Sequence, residues 1–320
     1  MTYVIGVDLG GTKTAAGVVA ADGAVVFTEQ IPTLNRDGGE AILDATAGLV
    51  SRLMQRAAGE GMDVGGVGIG SAGVIDAAEG TVVSATDAIL GWTGTKLTAG
   101  LAQRLGLAGG DVKAVNDVHA HALGEAWLGA AAGSSSSLMV AFGTGVGGSF
   151  VLGGAPVLGH RFVGGHVGHF ASPYAHHEGT ALPCVCGHAG HVEAIASGPA
   201  IYESFLRFGG SPDVPDTRAV FGLAHDGDAA GTSLDSAAAV RAIGVGAAAA
   251  GQAVGGLINI LDPETVVVSG GLADAGDMWW TPMERALREE LLAPLAAVPV
   301  RRATLGNTAA IVGAAKLVLK

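Results

Sequence analysis

Cys184 and Cys186 are the only cysteines in the 320-residue chain, and they stand one residue apart in CVCGHAGHVE (184–193). Thiolate and imidazole are ligands that Zn²⁺ prefers, so a chain sparing with cysteine that sets both among histidines invites a metal reading. The alternative is a pair of reduced thiols among stray histidines, with His176, His177 and His188 nearby in sequence. A CxC pair is too close for an ordinary structural disulfide. In an extended segment alternate residues share a face, which would aim both sulfurs the same way.

Two glycine turns offer a second chemistry. DLGGTKT (8–14) follows an apolar run, and FGTGVGG (142–148) repeats the arrangement. Glycine permits positive φ and leaves backbone N–H groups uncovered, so such turns can wrap a phosphate. Gly10, Gly11, Thr12 and Lys13 in the first, and Gly143, Thr144 and Gly145 in the second, are the candidate ligands. Either turn alone reads equally as a tight hairpin, but two matched turns, each with Thr, favour phosphate. In VVVSGGLAD (266–274), Gly270 and Gly271 end a strand and leave room for a flat ring against the backbone.

Asp8 ends an apolar strand facing the first turn, where a carboxylate is costly unless satisfied. It can orient hydrated Mg²⁺ or bond the turn's own N–H groups. In VKAVNDVHAHA (112–122) Asn116 and Asp117 stand where a strand gives way to a helix. Asp117 can be an N-cap, or it can take the proton of a hydroxyl attacking a γ-phosphate. Asn116 offers a donor and an acceptor to neighbouring hydroxyls.

Periodicity supplies the elements that must hold these groups. Strands are expected at 4–8, 15–20, 24–28, 65–70, 80–83 and 112–116, with helices at 38–58 and 95–105. In the second half, strands are expected at 137–142, 146–151, 264–268 and 299–303, with LGGAPV starting another. Helices are expected at 192–207, 216–224, 235–260, 279–292 and 308–319. Each half runs strand, glycine turn, strand, hairpin, then helices. That duplicated plan predicts a two-lobed α/β protein with a cleft between the lobes. The lobes are expected at 1–116 plus 308–320, and at 117–307.

A net charge of −12 argues against nucleic acid, an anionic membrane or a polyanionic phosphate donor as partner. No basic region precedes an apolar run at the N-terminus, so no signal peptide is read and the expected location is cytoplasmic. GVGAAAAGQAVGGLINI (244–260) is apolar but short for a span and carries Gln252 and Asn259, so it reads as a buried, tightly packed helix.

Together these residues resemble the ROK family of bacterial sugar kinases, which share the actin-like, hexokinase-like ATPase fold. The resemblance runs nearly end to end. DLGGTK is similar to the family's first phosphate motif, GTGVGG to its second, VVVSGGLAD to its adenosine motif, and ND holds the position of its catalytic Asp. The family's AGExGH…CxCGxxGCxE segment reads here as GGHVGH (164–169), a loop, then CVCGHAGHVE (184–193). The resemblance implies that Asp117 is the base, that Asn116, His169 and Glu193 hold the sugar, and that His169, Cys184, Cys186 and His191 bind a structural Zn²⁺. His191 replaces the family's third Cys, which a tetrahedral zinc site tolerates. His166 replaces the family's Glu at a sugar-binding position; an imidazole differs in size and can donate instead of accept. Gly73 and Thr86 match sugar-contact positions of the N-acetylmannosamine kinase branch.

The implied activity is ATP-dependent, Mg²⁺-assisted phosphorylation of a hexose or N-acetylhexosamine at the 6-hydroxyl, with N-acetylmannosamine first. The alternatives are a glucokinase, or a catalytically weak sugar sensor because of His166. A homodimer is implied. The family's repressors carry a DNA-binding segment ahead of the first phosphate turn; the first strand here begins at residue 4, which speaks against that role.

Overall fold

The computed structural model describes residues 3–230 and 233–319; the ends of the expected lobes, at residues 1 and 320, lie outside them. Contacts divide the chain into two units, Met1–Ser136 with Ser149–Gly165 and Ala303–Lys320, and Ser137–Gly148 with His166–Arg302.

The first unit begins with strands β1 (Tyr3–Leu9), β2 (Lys13–Ala20) and β3 (Val25–Pro32) and helix α1 (Gly39–Gly59). Strand β4 (Val64–Ser71), the short hairpin β5 (Val74–Asp76) and β6 (Thr81–Ser84), helix α2 (Leu97–Leu105), strand β7 (Val112–Asn116) and helix α3 (Asp117–Trp127) follow. Strand order is β3-β2-β1-β4-β7. β1 pairs antiparallel with β2 but parallel with β4, and β4 is parallel to β7. β1 and β4 are covered on both faces and so read as apolar or glycine runs up to Asp8 and Ser71 near their ends, whereas VVFTEQIP in β3 alternates in burial.

The second sheet repeats the plan in the order β10-β9-β8-β13-β14. Its strands are β8 (Ser136–Phe142), β9 (Val146–Leu152), β10 (Ala155–Pro156), β13 (Thr265–Ser269) and β14 (Val300–Arg302). Between them lie a hairpin, β11 (His176–His177) and β12 (Thr180–Ala181), and helices α4 (Glu193–Ala196), α5 (Gly198–Arg207), α6 (Thr217–Ala230), α7 (Leu234–Leu261) and α8 (Asp277–Glu290). The expected single helix at 192–207 is broken at Ser197. That residue is extended (ψ 161°), its side chain caps α5 through Ala200 N, and Pro199 cannot continue a preceding helix.

α7 is long and apolar enough by composition to cross a membrane, but more than half of its most apolar stretch is buried in the fold. Its glycines are why. A Cβ at Gly251 would lie 2.0 Å from the Met283 carbonyl of α8, so the two helices meet backbone to backbone.

The last helix, α9 (Ala309–Lys316), returns to the first unit. Cβ atoms at Gly6 and Gly68 would fall 1.9 and 1.8 Å from the carbonyls of Ile311 and Ala314. α9 crosses α3 as closely, since a Cβ at Gly313 would meet Ala120 O at 1.7 Å. This packing groups 117–136 with the first unit, past the boundary expected at 116. Glu125, fully buried on α3, accepts hydrogen bonds from the backbone N–H groups of Ala130, Thr304 and Leu305, which fixes the chain leading into α9.

Candidate functional site

In the first unit the functional candidates gather at the carboxyl ends of parallel strands, where open α/β sheets bind ligands. Asp8 pairs across with Gly70, and Ser71 with Asn116. The first glycine turn joins β1 to β2. Gly10 N donates to Lys13 O, Thr33 N to Thr12 O, Thr33 Oγ1 to Gly10 O and Asn35 Nδ2 to Gly11 O. All four carbonyls of the turn, which would repel an anion, are thereby held by protein donors. Gly10 and Gly11 do not use positive φ, so their conformational freedom is not what shapes the turn. Thr33 and Asn35 were not legible as site residues because they lie some twenty residues beyond the motif.

The carboxyl group of the half-buried Asp8 makes no hydrogen bond or ion pair among the described residues. Its carboxyl is pushed up to about 6, first by burial, then by the Asp117 charge, with Lys13 opposing. The reading in which Asp8 merely bonds turn amides has no support in these contacts.

Asn116, not Asp117, is the N-cap of α3. Its Oδ1 accepts from Val118 N at 2.9 Å while its Nδ2 donates to Gly73 O at 2.8 Å. Asp117 is the first helical residue and also accepts from Val118 N. Gly70 makes this placement possible, because a Cβ there would lie 2.7 Å from Ala120 Cβ and 3.3 Å from Asp117 Cα. Gly73 has φ 95°, and a Cβ would press to 2.8 Å from Ser84 O. The buried Trp92 donates to Ala72 O and steadies the same bend. Thr86 is exposed in the loop after β6, and that loop is tied to the first turn through Leu90 N and Asn35 O.

In the second unit, Gly143, Thr144 and Gly145 join β8 to β9. Gly143 N donates to Gly145 O, and Gly198 N to Gly143 O. A pocket of about 760 Å³ opens here. Gly143, Thr144, Gly198 and Gly271 line it beside the apolar Pro199, Phe221, Leu272 and Ala275 and the polar Asp216, Thr217 and Arg218. Of the two glycines after β13, Gly271 leaves open space at the pocket. Gly270 (φ 88°) instead packs on β8, where a Cβ would meet Phe142 O at 2.3 Å. The helical residues of the lining were not legible, because no local motif marks which turn of a helix faces a pocket.

The metal candidates form a compact knuckle. The donor atoms of His169, Cys184, Cys186 and His191 all lie within 4.8 Å of one another. Cys184 Sγ is 3.5 Å from His169 Nδ1, and Cys186 Sγ is 3.2 Å from His191 Nδ1. Tetrahedral bonds of ~2.3 Å to sulfur and ~2.05 Å to nitrogen place such atoms ~3.5 Å apart, so the set fits Zn²⁺. Burial pushes the Cys184 thiol up, and a cation would oppose that. The two sulfurs converge through a turn, closed by Gly187 N to Cys184 O, and not through the extended segment expected. His176, His177 and His188 lie outside the set, as does the exposed His166, whose ring centre is 6.4 Å from that of His169. Two residues past His191, Glu193 opens α4, and its Oε2 accepts from Val146 N at 2.7 Å.

A model of the ROK family matches residues 4–320. The glucokinase of Thermotoga maritima is 32% identical over 329 residues, covering 98% of this chain and 96% of that protein. The N-acetyl-D-glucosamine kinase of Escherichia fergusonii is 31% identical over 323 residues, covering 98% of each. Among solved structures, a ROK hexokinase from Thermus thermophilus matches with a TM-score of 0.82 and 33% identity, over 98% of this chain and 96% of that one. A ROK family glucokinase from Streptomyces griseus, in complex with glucose and AMPPNP, matches with a TM-score of 0.78 and 31% identity, over 98% of both chains.

Proposed function

The chain belongs to the ROK family and is an ATP-dependent sugar kinase of actin-like fold, and from that premise we propose that it phosphorylates the 6-hydroxyl of a hexose or N-acetylhexosamine, with Asp117 as general base. The observation that carries the reading is the pairing of Asp117 with Asp8. Both carboxylates stand at the strand ends, where burial first and the Asp117 charge second raise the Asp8 pKa, beside a glycine turn whose carbonyls are all occupied. Asp117 accepts the proton of the attacking hydroxyl. Asp8, lacking a protein partner, is left to orient the hydrated Mg²⁺ that accompanies ATP, whose charge offsets that on the phosphates.

The nucleotide occupies the 760 Å³ pocket. Its base lies between Phe221, Pro199 and Leu272, and its phosphates lie toward Gly143 and Thr144 near the N-terminus of α5, whose dipole favours an anion. His169, Cys184, Cys186 and His191 would hold Zn²⁺, and an ion with four protein ligands would brace the loop and take no part in the chemistry. His169, Asn116 and Glu193, with Gly73 and Thr86, contact the sugar, and the protein works in the cytoplasm.

Glucose and N-acetyl-D-glucosamine, the sugars named in the relatives described above, are the first acceptors to test, and N-acetylmannosamine stays beside them. Coupled ADP release should be measured with these three and mannose, on wild type and His166→Glu. The expected result is strong turnover with one sugar and a shifted preference in His166→Glu. Silence with every sugar, in protein that still binds ADP, would favour a sensing role and sink the proposed acceptor.

A further inference from the structure

The family resemblance implies that Glu193 holds the sugar, yet its closest contact is with the second glycine turn. Glu193 Oε2 accepts from Val146 N at 2.7 Å, and a Cβ on the preceding Gly145 would stand 2.7 Å from that same oxygen. Beyond the flanking Thr144 and Val146, only the Glu193 carboxyl group lies within 4 Å of that position. The glycine therefore leaves room for one carboxylate. The turn passes the constraint on through Gly145 O to Gly143 N and through Gly143 O to Gly198 N, and Gly143 and Gly198 line the pocket. On the other side, Glu193 is two residues from His191 of the metal knuckle.

We infer that Glu193 is a positioning residue for the nucleotide: its carboxylate holds the second glycine turn against the metal knuckle, so nucleotide affinity depends on a residue that does not line the nucleotide pocket. The inference rests on the reading that this pocket takes ATP. A carboxylate bonded to a backbone N–H is a charge-assisted contact, stronger than a neutral one. Oε1 makes no hydrogen bond among the described residues and stays available to a sugar hydroxyl.

The test is ADP affinity by calorimetry without sugar, so that any sugar-binding role is silent. Glu193→Ala should weaken ADP about tenfold, the worth of one charged hydrogen bond. Glu193→Gln, which keeps a carbonyl acceptor for Val146, should restore most of it. Gly145→Ala should weaken ADP by displacing the carboxylate, but should cost nothing further in Glu193→Ala, where the obstacle is gone. If Glu193 served only to stabilise the fold, melting temperature would fall while ADP affinity of the folded protein stayed at the wild-type value; that result overturns the inference. Additive losses in the double variant overturn it as well. Wild type that binds ADP but phosphorylates no sugar defeats the proposed function and leaves this inference standing. Wild type that binds no ADP ends both.

Discussion

The two glycine turns are alike in sequence and in their place between the first strands of matching sheets, but they are braced differently. The first is held by neutral donors from the loop after β3, Thr33 and Asn35, and faces the Asp8 carboxyl group, which burial and the Asp117 charge push up. The second is held by a carboxylate, carried on the metal knuckle, and borders a large, partly apolar pocket. A glycine turn is thus only a set of unoccupied amides; its brace decides what reaches it. In the proposed function the first serves a cation and a proton transfer, and the second a nucleotide.

The sharpest way to break this contrast is at the first turn. Asp117→Asn should lower turnover by about two to four powers of ten, the usual worth of a general base, while ADP affinity stays unchanged. An undiminished rate in coupled ADP release would remove Asp117 from the chemistry. Asp8→Asn should cost about a hundredfold in turnover, on the scale of losing one charge-stabilising group. It should also stabilise the protein.

The sign follows from the raised pKa. Between ~4, the unfolded value, and about 6 the native state binds the Asp8 proton more tightly than the unfolded chain, so ionisation above that window costs stability. The thermal gain of Asp8→Asn should approach ~3 kcal/mol above pH 6 and fade toward pH 4. Wild-type activity should fall as pH drops through about 6.

On the second turn's side, Cys186→Ser should reduce bound zinc, measured by elemental analysis, from about one per chain to near zero, and should lower turnover about tenfold, as the loss of outer support around a site typically does. Full zinc retention would show that the knuckle does not use this thiol. The smallest effect belongs to the neutral brace. Thr33→Val leaves Gly10 O and the buried Thr14 hydroxyl without a partner, at about 1–2 kcal/mol in chemical denaturation, with turnover within a few-fold of wild type.

Much of this was legible because it is local. Strand 112–116 and the long helices fall within a few residues of their expected places, since burial period and end chemistry are written in neighbouring residues. The four knuckle residues converge as the resemblance implied, each close in sequence to a tight turn. What escaped is what joins distant residues. Asn35 reaches Gly11 across β2 and β3, Glu193 reaches Val146 across 47 positions, and Glu125 reaches Leu305 across 180. Asn116 took the cap that one of the two readings gave Asp117, and its side chain also ties Gly73. The break at Ser197 could have been read from Ser-Gly-Pro, a cap followed by a residue that cannot sit inside a helix.

Where α9 sits has a consequence for the order of events during synthesis. Domains generally fold as the ribosome releases them, N-terminal first. The sheet and helix that carry Asp8 and Asp117 are translated early, but the surface at Gly6 and Gly68 and the groove at Gly124 pack against residues 309–313 and their neighbours. Until those residues emerge, the nascent first unit has a seam with no lining, and Glu125 meets its two late amide donors only once Thr304 and Leu305 have been made. The unit bearing Asp8 and Asp117 is therefore begun first and finished last, and a ribosome that stalls before residue 309 releases a chain whose first unit still lacks α9.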